Sequence, residues 1–175
     1  CSSDLDTIIN AVDPLIVREV TSDNDFYGKV SGNTFVEVAP DPATAQVTVT
    51  YKIPNMLSNM PYDIYAVFVP ATAYDPLDTT ETTKPCIIRS TLYYSDQNGR
   101  ETQRRFNSNI YTDPAKVDTV LMAKEFSFPT CSYGLSDETA KIAIRSAVTS
   151  RQTATNSLTL RIDCLIIKPH ALAGQ

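Results

Sequence analysis

The sequence predicts an all-β chain folded as an antiparallel β-sandwich of the jelly-roll kind, and three observations carry that prediction. Apolar residues recur at every second position in short runs, roughly eight to ten of them at spacings near ten residues. No sustained amphipathic helix stands between the runs, which removes the crossovers a parallel sheet requires. The turns are rich in Pro and Asp, as in sandwiches and jelly rolls, and no internal repeat points to a propeller or solenoid.

Taken in order, Leu5, Ile8, Ile9 and Val12 follow the spacing of a short helix that ends at Asp13–Pro14, and a docked extended arm fits them equally well. Leu15–Val20 reads as a strand. Thr21–Gly32 carries Asp23, Asn24 and Asp25, but without the spaced ligands and terminal glutamate of a calcium-binding loop it reads as a solvated turn. Thr34–Val38 is a short strand closed by Pro40-Asp41-Pro42. Ala45–Ile53 alternates cleanly, with Ala45, Val47, Val49, Tyr51 and Ile53 on one face and Gln46, Thr48, Thr50 and Lys52 on the other.

Tyr62–Val69 is apolar on both faces after Asp63 and reads as a central strand closed by Pro70. Ala71–Pro85 has no apolar period and is read as a crossover on the surface. Cys86–Tyr94 and Glu101–Phe106 flank an Asn98–Gly99 turn, a strong hairpin signal because both residues tolerate positive φ. Asp113–Pro114 turns the chain into Val117–Lys124, and Phe126 and Phe128 alternate up to Pro129. One helical turn is expected within Gly134–Ala140, then a strand at Lys141–Ala147 with Ile142 and Ile144 inward. In Ser157–Pro169, Leu158, Leu160, Ile162, Cys164 and Ile166 share one face, and Thr159, Arg161 and Asp163 take the other. The expected organisation is a tether or docked arm over 1–14, the sandwich over 15–169 and a tail over 170–175.

Composition bounds the function. A chain of 175 residues, 42% hydrophobic, suits one domain that buries roughly 70% of its unfolded surface. The formal net charge of -5 supplies no general basic field, which argues against nucleic acid and anionic lipid surfaces as partners. No apolar run reaches the roughly 20 residues of a membrane-spanning helix. Catalytic motifs are missing too: there is no GxSxG, Gly-rich phosphate loop or HExxH. The single histidine, His170, lies beside Pro169, away from any candidate nucleophile. A non-enzyme without a cofactor is the expectation.

The four cysteines are Cys1, Cys86, Cys131 and Cys164. The start CSSDLD has the form of a mature bacterial lipoprotein, cut just before a lipid-modified Cys1; an arbitrary cut site is the alternative. With Cys1 acylated, at most one disulfide joins the other three. Cys86 and Cys164 lie on apolar strand faces and read as small core side chains. No CxxC pair and one histidine leave no zinc site.

The pairing of YDIYAVFVP in mid-chain with LTLRIDCLIIKP near the end resembles galactose-binding-like jelly rolls, including some carbohydrate-binding modules. The pattern TLYYSDQNG, TDPAKVDTVLMAKEFSFPTC and RIDCLIIKP is similar to surface lipoproteins of Bacteroidetes that accompany outer-membrane glycan-uptake systems. The likeness covers residues 35–169. It implies a glycan-binding domain at the bacterial outer membrane or cell surface, anchored by lipid on Cys1. In many such modules the aspartate of the closing strand helps hold a structural calcium, a position that maps to Asp163. No companion acidic set accompanies it here, so Asp163 is read as solvent-facing and paired with Arg161 or a cross-strand neighbour.

Sugars are held by aromatic faces together with planar hydrogen-bonding groups. Tyr74, Asp75, Tyr93, Arg104, Arg105 and Tyr111 offer that chemistry near expected loops or hairpin ends. The absence of Trp weighs against a sugar site, and nine tyrosines keep it open. Structural or protein-interaction lipoprotein, with a surface protein as partner, is the alternative reading.

Overall fold

The structure, a computed structural model, describes residues 8–11, 15–40, 46–53, 60–78, 83–96, 98, 100–128, 140–149 and 151–170. Ten strands run through them: β1 (Ile8–Ala11), β2 (Leu15–Glu19), β3 (Thr34–Val38), β4 (Thr48–Lys52), β5 (Pro61–Phe68), β6 (Ile87–Ser95), β7 (Glu101–Tyr111), β8 (Asp118–Ser127), β9 (Lys141–Ser146) and β10 (Leu160–Pro169). They form two five-stranded sheets, ordered β2-β3-β10-β5-β8 and β1-β4-β9-β6-β7. All the strand pairings are antiparallel. The all-β sandwich expected from the sequence is the fold found, and among the described residues the only helical pieces are 3-10 turns at Ser31–Asn33 and Ala71–Ala73.

The main core lies between the sheets. Val36 and Val38 of β3, Ile64, Ala66 and Phe68 of β5, Met122 of β8, and Leu160 and Ile162 of β10 face Val49 and Tyr51 of β4, Ile88 and Leu92 of β6, and Ile142 and Ile144 of β9. β10 sits at the centre of its sheet, paired with β3 over Leu160–Ile162 and with β5 from Ile162 to Pro169, and its residues from Ile162 to Leu165 are buried on both faces.

Period two does not hold along the whole of β10. The register slips between Ile162 and Cys164, opposite Phe68 and Val67 of β5, and such a bulge inserts one residue and exchanges the faces beyond it. Leu165 therefore takes the core position and Ile167 packs beside it, while Ile166 is half-exposed. Cys164 is buried outside the main cluster and is disulfide-bonded, which corrects its reading as a plain core side chain. Cys86 is a buried thiol in the main core.

Asp163 is corrected as well. It is 3% exposed, and its Oδ2 accepts the Ser31 N–H at 2.9 Å. Arg161 pairs with Glu37 instead, at 3.1 Å, and Arg18 joins that carboxylate at 3.2 Å. The loop over 21–33 is the mostly exposed turn expected, and two buried residues, Asn24 and Val30, pin it to the body. Val20, Val30 and Phe35 form a second small core with Val69 and Ala73, and Asn24, 8% exposed, donates to the carbonyls of Thr72 and Ala73. Of the two readings of the first stretch, the docked extended arm is the one found: Ile8–Ala11 is a strand pairing with β4. Cys1 and Cys131 lie outside the described residues, as does the turn expected over Gly134–Ala140 apart from Ala140.

Candidate functional site

Alternation decides what the β1-β4-β9-β6-β7 sheet shows to solvent. Sending Val49, Ile142, Ile144, Ile88 and Leu92 into the core turns Thr48, Ala143, Arg145, Arg89, Thr91 and Tyr93 outward. With Gln103 and Arg105 of β7, these six residues line an open groove of about 470 Å³. The register gives its rows: Tyr93 stands between Lys141 and Gln103, Thr91 between Ala143 and Arg105, and Arg89 opposite Arg145, which in turn is opposite Thr48. Thr91 and Ala143 make a floor of small side chains, and longer ones rise around it.

One end of this face is closed. Ile87, on the same face as Arg89, is covered by Ala147, Val148 and Leu158 in a separate apolar cluster, and the groove begins where that cover stops. Arg89, Thr91 and Tyr93 are half-exposed, and Arg105 and Arg145 are exposed. The Nε of Arg89 is sealed from solvent and has no hydrogen-bond partner. Glu101 is drawn to Lys141 at 4.0 Å, beside the Tyr93 row.

The residues nominated from the sequence fall into separate places. Tyr93 and Arg105 line the groove. Arg104 projects from the other side of β7 and stacks over Phe106, at 4.7 Å from the ring centroid. Tyr111 is exposed at the end of β7 opposite Ile87. Tyr74 and Asp75 belong to the other sheet's side of the molecule. Tyr74 carries the Arg18 guanidinium at 4.1 Å, and the Asp75 carboxylate accepts the Leu77 N–H in a local turn. Arg89, Arg145, Gln103, Thr91 and Thr48 were not nominated. Their signal was present as polar residues at outward positions of alternating strands, but nothing in the chain order joins β4, β6 and β9.

Two buried carboxyls carry opposite electrostatics. Burial pushes the Asp163 carboxyl up, and the Ser31 N–H offsets this only in part. Its Oδ1 has no hydrogen-bond partner. Among the described residues no three His, Cys, Asp or Glu side chains gather that could hold a metal ion. A calcium ion requires six or more oxygens, so the residues described around Asp163 do not fit one. At Asp63, burial also acts upward, but the Glu125 N–H, the His170 ring and Lys168 together outweigh it and leave the carboxyl below its ordinary range. His170 Nδ1 lies 2.9 Å from both Asp63 oxygens, so the chain's one histidine is tied into the β5–β8 sheet. Burial also raises the Tyr51 hydroxyl far above its usual value, with the Asp163 charge adding to the shift.

No protein-family model matches the chain, and no curated protein does. Solved structures do resemble it. The CBM22-1 xylan-binding domain of Paenibacillus barcinonensis Xyn10C aligns at TM-score 0.52 and 12% identity, over 94% of this chain and 86% of that one. The C-terminal family 22 carbohydrate binding module of Clostridium thermocellum Xyn10B, a structure concerned with residues of its cleft in ligand binding, aligns at TM-score 0.53 and 12% identity, over 98% and 88%. The CBM22-1 and GH10 modules of a C. thermocellum xylanase, complexed with xylohexaose, align at 0.54 and 11%, over 94% of this chain and 26% of that one. At such identities the likeness establishes a shared β-sandwich fold.

Proposed function

We propose that this chain is a non-catalytic carbohydrate-binding domain and that the groove across β4, β9, β6 and β7 is its sugar site. The observation that carries the reading is the groove itself: an open trough on one sheet, with a single aromatic ring, Tyr93, set among side chains able to bond hydroxyls. Tyr93 can place an apolar face against a pyranose ring, and Thr48, Thr91 and Gln103 can meet its hydroxyls. The sandwich shared with domains described as xylan-binding supports the same reading. So does the commitment of His170 to Asp63, which leaves the groove without an imidazole base.

We also place the domain at the bacterial cell surface, anchored through Cys1 and working beside a polysaccharide-uptake system. The disulfide at Cys164 supports an oxidising compartment. A protein-interaction role is the second reading, favoured by Ile16 and Val17, which are 42% and 48% exposed on β2 at a sheet edge.

A glycan microarray spanning neutral and acidic polysaccharides tests the first reading. Saturable binding that is lost in Tyr93→Ala, with the far-ultraviolet spectrum unchanged, is expected. Silence across the whole array, together with a co-purifying protein released by Ile16→Lys, would replace the sugar site with the interaction role.

A further inference from the structure

We infer that the groove selects an anionic glycan, a pyranose chain bearing carboxylate or sulfate groups, and that Arg89, Arg105 and Arg145 make the selection; this rests on the sugar-binding reading above. Among the described residues, three arginines and no acidic side chain line the groove. They are also neighbours: Arg89 and Arg145 stand directly opposite on β6 and β9, and Arg105 is across from Thr91, the next outward residue of β6. Like charges directly opposite in an antiparallel pair oppose folding, and a sandwich has no structural need for them.

Among the described residues none of the three has an ion-pair partner. The ion pairs found among the described residues use Arg18, Lys116, Lys141, Arg161 and His170. Arg89 Nε is in addition a buried donor with no acceptor. An oxyanion in the groove relieves both costs at once, because guanidinium groups bind carboxylate and sulfate through paired N–H···O bonds. The overall composition does not account for the cluster, since the chain carries a net -5; the positive field is local to one trough, where it is focused on whatever enters. The aromatic content points the same way. Tyr93 is the only aromatic among the lining residues, a poor platform for a neutral chain held by ring faces alone.

Titration calorimetry of the intact chain at 0.15 M salt, with matched ligand pairs, tests the inference. Polygalacturonate is set against its methyl ester, and chondroitin sulfate against the chemically desulfated form, with neutral xylan and single-stranded DNA alongside. The charged member of one pair is expected to bind at least tenfold more tightly than its neutralised mate, and the pair that responds tells carboxylate from sulfate. Arg145→Gln and Arg105→Gln, both at exposed positions, are expected to lower that affinity at least tenfold, while Lys116→Gln, which removes the same charge on the β7–β8 turn, leaves it unchanged. Equal binding of charged and neutral mates overturns the anion preference and leaves the sugar site standing. DNA binding as tight as the best glycan overturns it in favour of plain charge attraction. If no glycan of either kind binds, the sugar site falls with it.

Discussion

At the scale of single residues, Asp63 and Asp163 show how local partners decide whether a buried carboxylate supports or strains a fold. Asp63 stands opposite an irregularity in β8, where the register slips between Tyr62 and Ile64. Glu125, at φ 51° on the slipped strand, gives its N–H to Asp63 Oδ1 at 2.8 Å. A non-glycine residue in that conformation costs about 1 kcal/mol or more, and the carboxylate holds it there. Asp63→Ala should lower stability by about 2 kcal/mol, measured by urea denaturation at pH 7. The depressed folded pKa fixes the sign of the pH dependence. This contribution is complete above the unfolded value of about 3.9 and is lost as pH falls through the folded one, so wild-type and variant stabilities should converge in strong acid. A gap that persists there would assign the loss to packing.

Asp163 has the reverse sign. Its folded pKa lies above the unfolded value, so the fold prefers the protonated acid, and stability is lost as pH rises from the unfolded value through the folded one. Asp163→Asn keeps an acceptor for the Ser31 N–H and removes the charge. It should raise Tm at pH 7 by about 2–4 °C, the shift that roughly 1 kcal/mol produces in a chain of this size, and the difference should close as pH drops below about 4. A lower Tm at pH 7 would mean that the carboxylate has an attractive partner.

At the scale of elements, β10 sets the test. Strict alternation from Leu160 and Ile162 assigns Ile166 to the core, whereas the bulge after Ile162 assigns Leu165. Leu165→Ala should therefore destabilise the chain by about 2–5 kcal/mol, as truncation in a packed core does, and Ile166→Ala by less than half as much. The opposite ranking, read from denaturant midpoints, would remove the bulge. The elements also explain which site residues were legible. Tyr93 and Arg105 flank an Asn-Gly hairpin whose two strands adjoin in sequence, so their proximity could be read directly. Arg145 lies on β9, some fifty residues beyond β6, and its place beside Arg89 depends on a strand pairing that alternation alone does not specify. The same alternation correctly set Ile142 and Ile144 inward, and with them Arg145 outward.

At the scale of the whole molecule, the disulfide links the fold to its proposed location. The chain has four cysteines, Cys86 is a thiol and Cys164 is bonded, so the partner of Cys164 is Cys1 or Cys131. A Cys1 whose sulfur carries lipid cannot also form a disulfide. Peptide mass spectrometry under non-reducing conditions should find Cys131 linked to Cys164; a Cys1–Cys164 peptide would end the lipid-anchor proposal. The net charge is likewise a property of the whole that hides its parts. A total of -5 argued against nucleic acid and anionic lipid surfaces, yet the sheet bearing the groove gathers three arginines on one face.

The amino-acid order by itself determined the fold class and most of the strands, though not β1, whose residues follow a helical spacing. Most strands announce their buried face through a local period of two, and runs of such strands without helices point to an antiparallel all-β fold. Which strands become neighbours, where a bulge exchanges the faces, and which outward residues meet across β4, β9, β6 and β7 were decided only in three dimensions. These depend on contacts between segments far apart in the chain, and no local period records a distant partner.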